Sequence, residues 1–294
     1  MTRTRRTACF LAAVIGGGAA TLTACGGPPP SGDRSAAYDT EVLSDTPALY
    51  LRGGGYATKQ STAALKATRH HGPGTTSMPN GDPAFLFDGA SQYVEVPDDD
   101  RLSVTTTGEL TVEAWLRPDT LTFAKTASTG YVNWLGKSSS PNGQNEWLAR
   151  MYSRDNTELR ANRISGYVFN SDGGFGAGSY FEDEAGRGEW IHFALVINTR
   201  DRSPAYPTGY VKIYKNGVLR DQDALAEYDI TPANTDAPMR IGGVDDRSYF
   251  EGAIGKVAVY DSELPAARLA AHHRAMNAQS PRDASAGTCR LRTN

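Results

Sequence analysis

Two acidic clusters, Asp98-Asp99-Asp100 and Glu182-Asp183-Glu184, are the densest groups of side chains able to move protons. Retaining hydrolysis of a glycosidic bond needs two carboxyls about 5–5.5 Å apart. A strand meets that need with carboxylates at alternate positions, because alternate residues share a face. Asp98 with Asp100 and Glu182 with Glu184 have this spacing, but neither pair lies within a strand-like run. One follows Pro97 and the other runs into Ala185-Gly186-Arg187-Gly188, so both read as solvated loops. No catalytic residue is assigned.

Metal ligation fares no better. His70 and His71 are adjacent and point oppositely in an extended chain, and His272 and His273 diverge on a helix. Asp245 and Asp246, within Gly242-Gly243-Val244-Asp245-Asp246-Arg247, offer oxygens that suit calcium, although the segment reads first as a turn. No cofactor is expected beyond that calcium alternative. Sugars present apolar C–H faces, which bind aromatic rings flanked by a few polar groups. Tyr131, Trp134, Trp147, Tyr152, Phe175, Tyr180 and Tyr249 adjoin loops, and Asn142-Gly143-Gln144-Asn145-Glu146-Trp147 sets amides beside an indole. Trp147, Asn145, Asp245 and Tyr249 are therefore the expected ligand-binding residues. The competing reading places Trp134 and Trp147 in the core.

Strands must position these groups. Glycine (31) and proline (16) are frequent and helical periodicity is scarce, which points to an all-β class. Leu110 to Leu116 alternates, with Val112, Ala114 and Leu116 on one face and Glu113 and Trp115 on the other. Phe85-Leu86-Phe87, Asp88-Gly89 and Tyr93 to Pro97 form a hairpin candidate. Gly209 to Tyr214 runs into Asn216-Gly217, the strongest short hairpin signal. Trp190 to Asn198 is almost continuously apolar, as in a strand buried on both faces. Ala266, Leu269, Ala270, His273 and Met276 fall at helical spacing and predict one short closing helix. The architecture expected is a two-sheet sandwich. With 21% charged residues and a net charge of -3, nothing favours nucleic acid or another polyanion.

The N-terminus carries its own chemistry. Arg3, Arg5 and Arg6 precede an apolar stretch from Ala8 to Ala24, and Leu22-Thr23-Ala24-Cys25 resembles the lipobox of bacterial lipoproteins. That resemblance implies a signal peptide over 1–24, lipidation of Cys25 and attachment to a membrane outside the cytoplasm. The Gly/Pro-rich run after Cys25 predicts a flexible tether over 25–45, a folded domain over 46–276 and a disordered tail over 277–294. Once Cys9 leaves with the signal and Cys25 is modified, Cys289 has no partner for an internal disulfide.

Within the domain, Phe87-Asp88-Gly89, Tyr93-Val94-Glu95-Val96-Pro97 and Leu110-Thr111-Val112-Glu113-Ala114-Trp115-Leu116-Arg117-Pro118 resemble laminin-G-like, concanavalin A-like lectin/glucanase domains. Trp190-Ile191-His192-Phe193-Ala194, Val211 to Gly217, Phe250 to Ile254 and Val257 to Tyr260 continue the same order. The resemblance implies a jelly-roll β-sandwich with one short C-terminal helix. It leaves activity open, since the family hosts lectins, adhesion modules, glucanases and lyases. Retaining glucanases of this fold carry Glu-x-Asp-x-x-Glu on one strand, which is missing here. Thr157 to Arg160, Ile191-His192 and Tyr210 to Lys212 echo the motifs of jelly-roll alginate lyases in degraded form. Relatives often place acidic residues, which help hold calcium, where this sequence has Gly255-Lys256. The function expected is a tethered, non-catalytic module for carbohydrate or cell-envelope glycan. A polysaccharide-active enzyme and a protein-adhesion domain are the alternatives.

Overall fold

Alternating strands carry one apolar face each, and two sheets bury those faces against each other. The computed structural model describes residues 32–53, 65–139 and 142–277. Cys25, the expected signal peptide, the first part of the tether and the tail beyond Asn277 lie outside the described residues.

In chain order the elements are α1 (Gly32–Ser44), β1 (Leu49–Leu51), β2 (Thr68–His70), β3 (Gly74–Ser77), β4 (Pro83–Asp88), β5 (Tyr93–Val96), β6 (Glu109–Pro118), β7 (Tyr131–Ser139), β8 (Gln144–Tyr152), β9 (Ile164–Asn170), β10 (Gly173–Tyr180), β11 (Ile191–Asn198), β12 (Tyr210–Lys215), β13 (Val218–Ala224), β14 (Met239–Ile241), β15 (Glu251–Tyr260) and α2 (Ala266–Asn277). The first sheet runs β13-β12-β11-β6-β15-β4-β3, with β1 also paired to β15. The second runs β10-β9-β8-β7-β14-β5-β2. Every strand pairing is antiparallel.

Val112, Ala114 and Leu116 of β6 do share one face, and they pack in the core between the sheets with Trp134, Trp147, Met151, Phe193 and Leu195. Trp134 meets Phe193 edge to face across the sandwich, ring centroids 5.2 Å apart. The Asn216-Gly217 hairpin forms as expected, with both residues at positive φ (56 and 74) between β12 and β13. A Cβ on Gly217 would lie 2.7 Å from Ala270 Cα, so α2 packs directly onto this turn.

The hairpin expected at 85–97 does not form. β4 pairs with β15 and β3 in the first sheet, whereas β5 pairs with β14 and β2 in the second. Asp88 Oδ1 accepts the Ala90, Ser91 and Gln92 amides and shapes an arch that carries the chain across the sandwich.

A second correction concerns the tether. Residues 32–44 form α1, on which Tyr38 and Val42, one helical turn apart, are both fully buried. With Leu269 and Met276 of α2 they cover Trp115, Val196, Tyr214 and Tyr260 on the outer face of the first sheet. Trp115 Nε1 donates to Tyr38 Oη at 3.1 Å. Lys256, at φ 54 where the β15–β6 register shifts, pins the same helix. Its buried ammonium lies 2.6 Å from Asp39 and 2.5 Å from Asp82. Positive charge at the Gly255-Lys256 position is thus supplied by the chain itself.

Candidate functional site

The helices seal one outer face, so the two sheets offer unequal surfaces. Under α2, Glu113 of β6 is fully buried and accepts from His192 Nε2 at 2.9 Å, His272 Nδ1 at 2.9 Å and Tyr260 Oη at 2.6 Å. His272 Nε2 lies 2.9 Å from Asp45, whose carboxylate also holds Arg268. Burial alone would push the Glu113 carboxyl up, but the hydrogen bonds and charges of His192 and His272 outweigh it and hold the pKa far below the usual range. Burial likewise opposes the charged form of His272, and Glu113 with Asp45 outweighs it, so that imidazole is raised above its ordinary value. Glu113 and His272 are thus both displaced from their ordinary values, yet Glu113, His192 and His272 have no solvent-exposed surface. It fastens helices to sheet.

The second sheet is open. On β8, Trp147, Ala149 and Met151 point into the core, so Leu148, Arg150 and Tyr152 point outward. Arg150 and Tyr152, with Tyr131 of β7 and Tyr167 and Phe169 of β9, line a groove of about 550 Å³. Gly174, Gly176 and Gly178 of β10 line the same groove and leave it unfilled. Gly178 is obligatory: its φ is 140, and a Cβ there would sit 2.1 Å from the Gly166 carbonyl oxygen. Phe175 (83% exposed) and Tyr228 (43%) form the rim, with ring centroids 6.3 Å apart.

Arginines set the chemistry of the floor. The Arg150 guanidinium lies 4.4 Å from the Tyr131 ring centroid and 5.1 Å from those of Tyr167 and Phe169. Arg160 Nη1 donates to Tyr152 and Tyr167 hydroxyls at 3.1 and 3.3 Å and pairs with Glu158 at 3.3 Å. Asp223 of β13 and Glu227 of the segment after it also line the groove. Burial, then the charges of Asp221 and Glu227, push the Asp223 carboxyl up to about 6. A second cleft, about 340 Å³, is lined by Asp119, Arg154, Arg187 and Glu251 and has no aromatic ring in its wall. Sugar stacking needs such a ring, which favours the groove.

The sequence-derived ligand residues do not converge. Trp147 is 1% exposed, faces the core and donates Nε1 to the Leu102 carbonyl at 3.0 Å. It therefore presents no ring to a ligand. Asn145 is buried and bonded to Ser138 and the Ser171 carbonyl. Asp245 closes a turn, accepting from Ser248 N and Oγ and from Asn133 Nδ2. Tyr249 is buried against Lys125, which lies 5.3 Å from its ring centroid. Asp246 is exposed and pairs with Arg240 at 3.2 Å. No group of His, Cys, Asp and Glu suited to a metal occurs among the described residues. The lyase-like residues are also split. Arg160 lies on the second sheet's groove, His192 is sealed under helices on the first, and the Tyr210 hydroxyl donates to Glu263 at 2.8 Å. Of the aromatics noted in the sequence, Tyr131, Tyr152, Phe175 and Tyr180 do line the groove. Arg150, Tyr167 and Tyr228 carry no such mark in the sequence, where Arg160 stands out only as part of a lyase-like motif. Alternation along Gln144–Tyr152, with Trp147 inward, would have turned Arg150 outward.

Two antiparallel sheets with an aromatic groove on an outer face define a lectin-like β-sandwich. The chain belongs to the Concanavalin A-like lectin/glucanases superfamily, whose model matches residues 88–270. No curated protein matches it. Among solved structures it is similar to the botulinum neurotoxin serotype D ligand-binding domain in complex with N-acetylneuraminic acid. There the TM-score is 0.56 at 14% identity, over 81% of this chain and 52% of that one. The receptor-binding domain of botulinum neurotoxin mosaic serotype C/D gives a TM-score of 0.54 at 14% identity, over 79% and 51%. Domain 4 of AbnA, an extracellular arabinanase from Geobacillus stearothermophilus in complex with arabinotriose, gives 0.51 at 16% identity, over 72% and 91%. The chain spans about half the length of the neurotoxin domains it matches. At these identities the similarity is one of fold.

Proposed function

We propose that this protein is a glycan-binding module whose site is the groove on the outer face of the second sheet, held to a membrane outside the cytoplasm by lipid on Cys25. The groove carries the reading: exposed Phe175 and Tyr228 stand over a floor of tyrosines and arginines. Rings of this kind stack on sugar C–H faces while guanidinium and carboxylate groups bond the hydroxyls. Neighbours of the same fold in complex with N-acetylneuraminic acid or arabinotriose, and one whose cell entry depends on gangliosides, support it. The anchor rests on Leu22-Thr23-Ala24-Cys25 and the arginines before it. Glycan-array binding by the full chain, lost in Phe175→Ala and Tyr228→Ala, is the expected result. Binding that survives both changes contradicts the site. Movement of Cys25→Ser from the membrane fraction to the soluble fraction tests the anchor; a variant that stays acylated and membrane-bound contradicts it.

One observation favours an enzymatic alternative. Asp223, with its pKa near 6 and Glu227 beside it, resembles a carboxyl poised to give a proton at neutral pH. Polysaccharide cleavage abolished by Asp223→Asn would establish that reading over simple binding.

A further inference from the structure

Arg150 differs from every other charge in the groove. Its Nε donates to Asn133 Oδ1 at 3.0 Å, and Asn133 Nδ2 donates in turn to Asp245 at 3.0 Å. Asp245 is itself fixed by Ser248. This relay locks the guanidinium from behind through a neutral amide. The aromatic rings of Tyr131, Tyr167 and Phe169 lie around it. Contact with a ring face engages the guanidinium's π surface and leaves its N–H edge free to bond. Among the described residues, no carboxylate lies within ion-pair distance of Arg150 and no protein acceptor takes a bond from its Nη atoms. Arg160, by contrast, is occupied by Glu158 and two hydroxyls.

The lining contributed by β13 and the 225–228 segment has the opposite character. Asp223 and Glu227 supply it, and Asp223 is pushed up by burial and like charge. Carboxylates without a cation accept bonds from sugar hydroxyls well and repel a second anion. The groove is therefore polarised, with a fork of donors from β8 and acceptors from β13 and the 225–228 segment.

We infer that the groove selects a saccharide with a single ring carboxylate next to neutral, hydroxyl-bearing sugars, and that Arg150 receives the carboxylate. This rests on the glycan-binding reading and narrows it to a ligand class. A planar guanidinium matches a carboxylate through two parallel N–H···O bonds. The neutral sugar then lies towards Phe175 and Tyr228, its hydroxyls facing Asp223 and Glu227. A glycan charged on every residue meets those carboxylates with its second charge and is disfavoured.

The test compares acid and neutral partners on the full chain by titration calorimetry. The probes are 3′-sialyllactose against its methyl ester and lactose, and cellobiouronic acid against cellobiose. At least one acid should bind about 10- to 100-fold more tightly than its neutral partner, a difference that a charge-assisted pair accounts for. Arg150→Gln should erase that difference, and Arg150→Lys, which keeps charge without the fork, should retain part of it. Trigalacturonate should bind more weakly than the preferred single-charge ligand. Equal binding of acids and neutral partners to the unaltered protein overturns the inference and leaves glycan binding standing, as does an acid preference that persists in Arg150→Gln. Failure of all these probes, with a blank glycan array, overturns both. The wild-type comparison needs no variant, so poor folding of Arg150→Gln does not rescue the idea.

Discussion

Replacing Glu113 with Gln removes the charge at the centre of the helix-to-sheet cluster while keeping nearly the same volume. Glu113 accepts from His192, His272 and Tyr260 within 2.6–2.9 Å, with no exposed surface. Removing one partner of a buried ion pair costs about 3–5 kcal/mol, because the other charge is left without compensation. A glutamine retains an acceptor oxygen, which sets the expectation at the lower end, about 3 kcal/mol. For a domain this size that is a fall in Tm of roughly 6–12 °C. The pH dependence sharpens the test. Glu113 is depressed when folded, so its contribution is present above the ordinary value of 4.5 and lost as pH falls through the folded one. His272 is raised, so its contribution is complete below 6.5 and lost as pH rises through its folded value. The cluster is strongest between those limits and weakens above them. His273, lowered by burial and by His192 and Arg274, acts in the opposite sense but is common to both proteins. Thermal melts at pH 6 and pH 9 should therefore show wild type losing more stability than Glu113→Gln on going to pH 9. A variant within 2 °C of wild type at pH 6, or one with the same pH slope, refutes the reasoning.

Trp147→Ala should destabilise the fold by about 3–5 kcal/mol, since it empties core volume and orphans the Leu102 carbonyl. Urea unfolding measures this; a change below 1 kcal/mol would return Trp147 to the surface. Chelation with EDTA should leave the Tm unchanged, because Ser248 and Asn133 already occupy both Asp245 oxygens. A fall of several degrees, reversed by added calcium, contradicts that. Gly217→Val should lower the Tm by several degrees, because positive φ and the 2.7 Å approach to Ala270 both exclude a side chain. A neutral melt would show that α2 does not pack on the turn.

Much of the sandwich is legible in the sequence because alternation is a local property. Leu110 to Leu116 fixes its own faces wherever its neighbours lie, and Asn216-Gly217 encodes its turn in two residues. Partnership between strands is not local. Phe85 to Phe87 and Tyr93 to Val96 show the same pattern whether they pair in one sheet or face each other across the core, so in sequence the arch at Asp88 looks the same as a hairpin. Helix α1 was hidden differently. Its tie to the fold is the pair Tyr38 and Val42, which means little until Trp115 and α2 are present to cover. The site failed for a related reason. Trp147 sits among amides that suggest a surface, yet its side chain alternates inward, and the tyrosines and arginines that make the groove come from β7, β8, the loop after β8, β9, β10 and the segment at Tyr228. No single stretch of sequence displays them together.

Hydrogen exchange of the full chain with and without its strongest array glycan addresses the site most directly. Slowed exchange should fall in Gly173–Tyr180 and in the 225–228 segment, which frame the groove. Slowing confined to 142–147 or 242–250, with the groove strands unaffected, would contradict the account.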